Sequence, residues 1–166
     1  MSFEGAVLPK EGFMRLATDG QNDLEKELYI LPCELGVEET IKRLVSILEE
    51  KQFPVYHVYN HAEEVAGEGV TLRPVQAVVF GLLNARAKAL EQEPSLAAVL
   101  PLRIAVWEDA QGKVWLGFSR VSLLAERFSK AQAELAGHMQ NLMENIAHRA
   151  SKTASARHEE MIKNLE

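Results

Sequence analysis

The feature of this sequence that most restricts its fold is a pair of alternating segments joined by a short polar turn. Residues 102–108 and 113–118 flank residues 109–112, Asp-Ala-Gln-Gly. Apolar side chains occupy every second position on both sides of the turn, at Leu102, Ile104, Val106, Val114, Leu116 and Phe118. Since successive side chains of a strand point to opposite faces, this spacing predicts an antiparallel hairpin with one buried face. The opposite face would carry Arg103, Ala105, Trp107, Lys113, Trp115 and Gly117.

A second periodicity, that of a helix, precedes the hairpin. Apolar residues recur with the spacing of one helix face at Val37, Ile41, Leu44, Val45 and Leu48. Short apolar runs next to proline or glycine predict strands over residues 27–31, 55–60 and 75–80. Residues 61–73 form a short helical or irregular connection in this prediction, and residues 84–92 form a short helix. From about residue 121 the chain is predicted to be helical, with a packing seam at Leu135, Met139, Leu142 and Ile146.

These elements together predict an α+β fold. We expect about five strands in an antiparallel sheet packed against helices, with the elements in the order β-α-β-β-α-β-β-α. A chain of 166 residues with 47% apolar residues can build one ordinary core. The predicted organisation is an N-terminal extension over residues 1–23, a core domain over 24–128, and a long C-terminal helix over 129–166 that packs on the core or on a partner.

Charge and composition restrict the partners and the location of the protein. The formal net charge of −6 opposes binding to the phosphate backbone of nucleic acids and to an anionic membrane surface. The sequence contains neither the apolar stretch that a membrane-spanning helix needs nor the apolar core of a signal peptide. The single cysteine, Cys33, cannot form an intramolecular disulfide, which favours a reducing compartment. We therefore expect a cytoplasmic protein with no nucleic-acid partner and no membrane partner.

Three stretches of the chain share their pattern with a known family. They are LGVEETIKRL from Leu35, PVQAVVFG from Pro74 and LPLRIAVWEDAQGKVWLGF from Leu100. In these stretches the chain resembles a bacterial family catalogued as domain of unknown function 302. The resemblance implies an α+β fold with a curved antiparallel sheet backed by helices, and frequent self-association. It implies no established activity, so no catalytic residue can be transferred to this chain.

The best polar cluster in the sequence surrounds the end of the second predicted strand. His57, Tyr59 and His61 alternate, so an extended segment would project them from one face, with Glu63 and Glu64 close behind. Two imidazoles and the Glu64 carboxylate could hold a divalent metal, or a histidine could act as a general base. The segment lacks a recognised ligand spacing, however, so a solvated strand end is the simpler interpretation. We expect no resident metal and no cofactor.

Cys33 has two interpretations. It lies close to the predicted start of a helix at Val37, where the helix dipole could lower the pKa of a reactive thiol. A lone cysteine is more often a small buried apolar residue.

Trp107 and Trp115 also have two interpretations. With Arg103 and Lys113 nearby, they could form a shallow binding face or an oligomer interface. Alternatively, the long C-terminal helix could cover both tryptophans as part of a second core.

The function that the sequence favours is non-enzymatic. It contains no phosphate-binding loop, no dinucleotide-binding fingerprint and no nucleophile elbow. We expect a module that self-associates as a homodimer or binds a small-molecule ligand. The alternative is a small metal- or thiol-dependent enzyme that uses the His57 and His61 cluster or Cys33.

Overall fold

An antiparallel sheet of five strands is the centre of the computed structural model, which describes residues 27–121 and 130–153. The strands are β1 Leu28–Cys33, β2 Val55–Asn60, β3 Val75–Phe80, β4 Leu102–Glu108 and β5 Val114–Ser119, in the spatial order β1-β5-β4-β3-β2. The helices are α1 Val37–Glu50, α2 His61–Ala66, α3 Leu83–Gln92 and α4 Lys130–Ser151, with a 3₁₀ turn at Pro94–Ala98 before β4. The predicted α+β class and antiparallel sheet are confirmed. The predicted extension over residues 1–23 lies outside the described residues, as do the parts of the predicted C-terminal helical region over 122–129 and after residue 153.

The connection between β2 and β3, predicted as helical or irregular, contains α2. This helix begins at His61, directly after the last residue of β2. The backbone N–H of Glu63 donates a hydrogen bond to Oδ1 of Asn60 at 3.3 Å, so Asn60 caps the helix. His61 is therefore the first residue of a helix and not part of an extended segment.

The two faces of the sheet differ in what covers them. All six alternating apolar residues of the hairpin are buried, as their spacing predicts, and they face the side that we call the core face. Helix α1 packs on the core face with Val37, Ile41, Leu44, Ile47 and Leu48. Its first turn carries Glu38 and Glu39, whose charges suit the positive end of the helix dipole.

We call the opposite side of the sheet the open face. The strand registers assign to it Leu28, Ile30, Pro32, His57, Tyr59, Val75, Ala77, Val79, Arg103, Ala105, Trp107, Trp115, Gly117 and Ser119.

Helix α4 packs on the core face through a seam that differs from the predicted one. Of the four predicted residues only Ile146 is buried, and Leu135, Met139 and Leu142 are half-buried. The buried positions among the described side chains of α4 are Ala136, Gln140, Met143, Ile146, Ala147, Ala150 and Ser151. Relative to the predicted seam, the buried face of α4 is rotated so that it includes Gln140. The side chain of Gln140 accepts a hydrogen bond at Oε1 from the backbone N–H of Val121 at 2.9 Å. Within residues 27–121 and 130–153, no helix combines the length and apolarity needed to cross a membrane.

Candidate functional site

A cavity of about 770 Å³ lies at the end of the sheet where β3 ends and β4 begins. Open-face residues, the segment from α3 to β4, the end of β5 and the beginning of α4 all contribute to it. The lining consists of Tyr59, His61, Ala77, Val79, Ala89, Leu96, Ala98, Val99, Leu100, Pro101, Leu102, Arg103, Ala105, Ser119, Arg120, Val121, Leu135, Ala136, Met139 and Met143. Small-molecule sites in proteins usually occupy about 300–1,000 Å³, so this cavity has the size of a ligand site.

Small side chains on the open face create the space for the cavity. Ala77 of β3 and Ala105 of β4 are direct partners in the strand register, and both line the cavity. Larger side chains at these positions would fill the volume above the sheet. We call these two alanines the floor of the cavity and the apolar lining residues from outside the sheet, such as Leu96 and Met139, its walls.

The polar groups of the lining are few and carry no negative charge. They are Tyr59, His61, Arg103, Ser119 and Arg120. Among the lining residues that the structure describes, none is an aspartate or a glutamate. The charged side chains of the described lining are therefore cationic, although the chain as a whole is acidic.

The two arginines of the cavity differ in how they are held. Nε of Arg120 donates a hydrogen bond to the Leu28 carbonyl at 3.1 Å, and its guanidinium carbon lies 5.3 Å from the centre of the Tyr29 ring. Arg103 is exposed on the open face. No hydrogen bond or ion pair joins the Arg103 guanidinium to any residue whose side chain the structure describes, namely those of 27–82, 87–121 and 133–153. Its guanidinium donors can therefore serve a ligand.

The structure brings His57, Tyr59 and His61 together as a ladder of rings along β2. The ring of His57 meets Tyr59 edge to face, with 4.3 Å between the ring centres. The ring of His61 stacks on Tyr59 with 5.9 Å between the centres and 5° between the planes. Tyr59 and His61 line the cavity, whereas His57 does not.

The same ladder was the candidate metal site. Nδ1 of His61 lies 3.3 Å from Oε2 of Glu64, so this carboxylate pairs with the imidazole. Nowhere in the described part of the chain do three or more His, Cys, Asp or Glu side chains come together in an arrangement that could hold a metal ion.

Cys33 lies at the end of β1 and packs against the core cluster. Burial raises the pKa of its thiol to about 11, and a hydrogen bond with Thr40 offsets part of that increase. A thiol with this pKa is protonated at neutral pH, and the protonated thiol is a poor nucleophile. The geometry favours the small apolar interpretation of Cys33 over the reactive one.

Trp107 and Trp115 form a pair on the hairpin, separate from the cavity. They are direct partners in the β4–β5 register and are half-buried, and neither lines the cavity. Nε1 of Trp115 donates to Oδ2 of Asp109 at 2.8 Å, and Nζ of Lys113 lies 4.3 Å from the centre of the Trp115 ring. The described part of α4 packs on the core face, so it does not cover the two tryptophans.

The site residues that the sequence pattern did not indicate are the small ones. Ala77 and Ala105 form the floor of the cavity, and the segment from α3 to β4 supplies Leu96, Val99 and Leu100. A signal was present, because small residues inside strands often mark the close approach of another group. Ala77, Ala105 and Gly117 follow one another across three neighbouring strands.

Comparison with family models and solved structures identifies relatives of the fold. The model described as "Domain of unknown function DUF302" matches residues 29–149. A crystal structure of an uncharacterized conserved DUF302 protein from Bacillus stearothermophilus is similar, with a TM-score of 0.67 and 20% sequence identity. The similarity covers 74% of this chain and 97% of that chain. At this identity the likeness shows a shared fold.

Similar curated proteins come from Brucella. Proteins named fluoride-specific ion channel FluC 1, from Brucella suis biovar 1 and Brucella abortus biovar 1, are each 29% identical to this chain over 106 residues. The match covers 64% of this chain, but only 42% of the first protein and 39% of the second. The chain thus spans about two-fifths of the length of these relatives.

Proposed function

The chain belongs to the family of domain of unknown function DUF302, and from that premise we propose that it binds a small, mainly apolar molecule in the cavity at the end of its sheet. The cavity itself carries the proposal. It has a volume of about 770 Å³, and most of its lining is apolar, with a small number of polar groups. This combination is typical of small-molecule sites, where apolar contacts supply affinity and a few polar groups fix orientation.

The test is the binding of a neutral apolar dye to the full chain. Nile red should bind saturably, with blue-shifted emission, because the cavity removes it from water. The variant Ala105→Phe should lose this binding, since the added ring fills the space above the floor. Ala66→Phe adds the same ring at an exposed residue of α2 that does not line the cavity, so it should bind the dye normally. Equal binding by both variants, with unchanged circular dichroism, would contradict the proposal.

Self-association is a second proposed role, supported by the tryptophan pair on the open face. Trp107 and Trp115 are half-buried neighbours on the open face, opposite the face on which α1 and α4 pack, and partly accessible aromatic side chains are common at interfaces. Light scattering coupled to size exclusion should show a homodimer. Trp115→Arg should shift the mass towards the monomer. Leu72→Arg introduces the same charge at another exposed apolar residue and should not. A monomeric parent protein at high micromolar concentration would refute this role.

We also propose a cytoplasmic location, which the single cysteine supports. Fractionation of cells that produce the native chain tests this location, and recovery from a membrane or periplasmic fraction would contradict it.

A role beside a fluoride channel is proposed from the relatives alone. A segment similar to this chain makes up 42% of a Brucella suis protein named fluoride-specific ion channel FluC 1. A strain that lacks the chain should then grow less well in fluoride than the complemented strain, and equal growth would contradict this role.

A further inference from the structure

We infer that the ligand of the cavity is a small amphipathic anion, a monocarboxylate with an apolar body. This inference rests on the proposed function, because it names the ligand class of the same cavity. Three observations support this inference: the sign of the charges in the lining, the guanidinium donors of Arg103 that are available to a ligand, and the apolar walls of the cavity.

The charges of the lining have a sign opposite to that of the chain. The whole sequence has 24 acidic and 18 basic residues. In the described cavity lining, by contrast, the charged residues are Arg103 and Arg120, and no carboxylate accompanies them. A site that is cationic inside an acidic protein favours an anion, because it concentrates opposite charge where the rest of the surface repels it.

Arg103 is the residue positioned to bind the anionic group. It pairs with Val79 in the β3–β4 register, and both residues line the cavity. Arg120 is already engaged with the Leu28 carbonyl and the Tyr29 ring. A planar guanidinium with free donors matches the two oxygens of a carboxylate, with which it can form two parallel charge-assisted hydrogen bonds.

The carboxylate of Glu64, which contacts the lining residue His61, does not reverse this preference. Glu64 pairs with Nδ1 of His61 at 3.3 Å and is itself outside the lining. Arg103 and Arg120 are therefore both cations without a carboxylate in the described lining, and of the two Arg103 is the one whose guanidinium has no hydrogen bond, ion pair or ring contact with the residues whose side chains the structure describes.

The apolar body of the ligand would occupy the rest of the cavity. Leu96, Val99 and Leu100 lie on the segment from α3 to β4, and Leu135 and Met139 of α4 also line the cavity. Burial of an alkyl chain against such residues contributes about 0.8 kcal/mol per methylene group. A carboxylate at Arg103 and an alkyl chain against these walls would satisfy both parts of the lining.

The experiment is isothermal titration of the full chain with octanoate and with octanol, which share an alkyl chain and differ in the head group. The parent protein should bind octanoate at least about tenfold more tightly than octanol, the effect of a charge-assisted hydrogen bond at a partly exposed site. Arg103→Gln should weaken octanoate binding about tenfold and leave octanol binding unchanged. Arg73→Gln removes an equal charge from an arginine that pairs with Glu108 outside the cavity, so it should affect neither ligand.

The outcomes separate this inference from the proposed function. Equal affinity for octanoate and octanol, or octanoate binding that survives Arg103→Gln, would overturn the anionic ligand class and leave a cavity that binds neutral molecules. Binding of Nile red without binding of octanoate or octanol would also overturn the anionic ligand class while leaving the proposed function standing. If none of the three compounds binds, both the inference and the proposed function fail. A melting temperature of Arg103→Gln equal to that of the parent protein would show that the variant is folded.

Discussion

The ring of Trp107 lies across the backbone of Gly117: a Cβ added to Gly117 would be 3.0 Å from Cη2 of Trp107 and 3.1 Å from the Tyr29 carbonyl oxygen. Gly117 is the direct partner of Ala105, which forms part of the cavity floor. The glycine therefore sets how closely the indole approaches the sheet beside the cavity.

Gly117→Ala should destabilise the protein by about 1–3 kcal/mol, the usual cost of overpacking a close contact. Urea unfolding measures this change, and the emission maximum of tryptophan should shift because the indole must move. Gly67→Ala is the matched control, since Gly67 has a helical backbone and open space around its Cβ position. We expect the control to be neutral or slightly stabilising. Equal changes in the free energy of unfolding for the two substitutions would contradict a close contact between Trp107 and Gly117.

Asp109 should make the stability of the hairpin depend on acid pH. Its carboxylate accepts hydrogen bonds from Nε1 of Trp115 at 2.8 Å and from the backbone N–H groups of Gln111 and Lys113 at 2.9 Å. The bond from Trp115 is the largest cause that holds the pKa of Asp109 below its ordinary value of 3.8. Because the folded pKa is depressed, the stabilisation is complete above the ordinary value and is lost as the pH falls through the lower folded value.

The difference in unfolding free energy between the parent protein and Asp109→Asn should therefore be constant near neutral pH and shrink below about pH 4. Circular dichroism during urea unfolding measures both proteins. Other carboxylates with a lowered pKa, such as Glu34 and Glu93, are present in both and cancel in the difference. A difference that does not vary with pH would rule out this role of Asp109.

Cys33 should behave as a buried, unreactive thiol. Burial raises its pKa from 9.0 to about 11, so at pH 8 the thiolate is roughly 100-fold rarer than in the unfolded chain. Modification by a disulfide reagent should be slower in the native protein by at least that factor. Equal rates in native and urea-unfolded protein would contradict the assignment.

The same raised pKa predicts a loss of stability at alkaline pH. The neutral thiol is favoured in the fold, so its contribution is complete below pH 9.0 and is lost as the pH rises through about 11. Cys33→Ala should lack this part of the pH dependence. The pKa of Tyr29, which burial also raises, is common to both proteins and cancels when they are compared.

The position of α4 can be tested at two neighbouring residues. Met143 is 1% exposed, whereas Leu142, which the sequence pattern placed on the seam, is half-buried. Met143→Ala should cost about 2–5 kcal/mol in the free energy of unfolding, and Leu142→Ala should cost clearly less. A larger loss for Leu142→Ala would mean that the helix is rotated as its apolar spacing alone predicts.

The periodic parts of the fold could be predicted because burial and spacing act together there. The alternation from Leu102 to Phe118 fixes which face of the hairpin is buried, and the helical spacing from Val37 to Leu48 does the same for α1. For α4 the apolar spacing did not predict all the buried positions, since the buried amide of Gln140 accepts a hydrogen bond from the Val121 N–H. A polar residue on the seam follows from this tertiary contact and not from periodicity.

The cavity could not be predicted, because its lining comes from segments far apart in the chain. Tyr59, Ala105 and Met139 line one cavity only after the sheet and α4 have packed. The sequence pattern predicted that His57, Tyr59 and His61 would share a face if the segment stayed extended. The rings of His57 and His61 each contact Tyr59, but His61 begins α2 and is not part of the strand. The pattern did not predict that Arg103 would lie in the lining and Trp107 outside it. Both lie on the same face of one strand, and only the elements around that strand distinguish them.

The most direct test of the account is to follow the backbone amide resonances of the full chain during titration with octanoate. We predict that the shifts will concentrate at residues of the lining, above all Ala77, Arg103 and Ala105, and will leave Leu44, a buried residue of α1 outside the lining, unchanged. Shifts concentrated around Trp115 and Lys113, or no saturable shifts at all, would contradict the claim that the cavity is the ligand site.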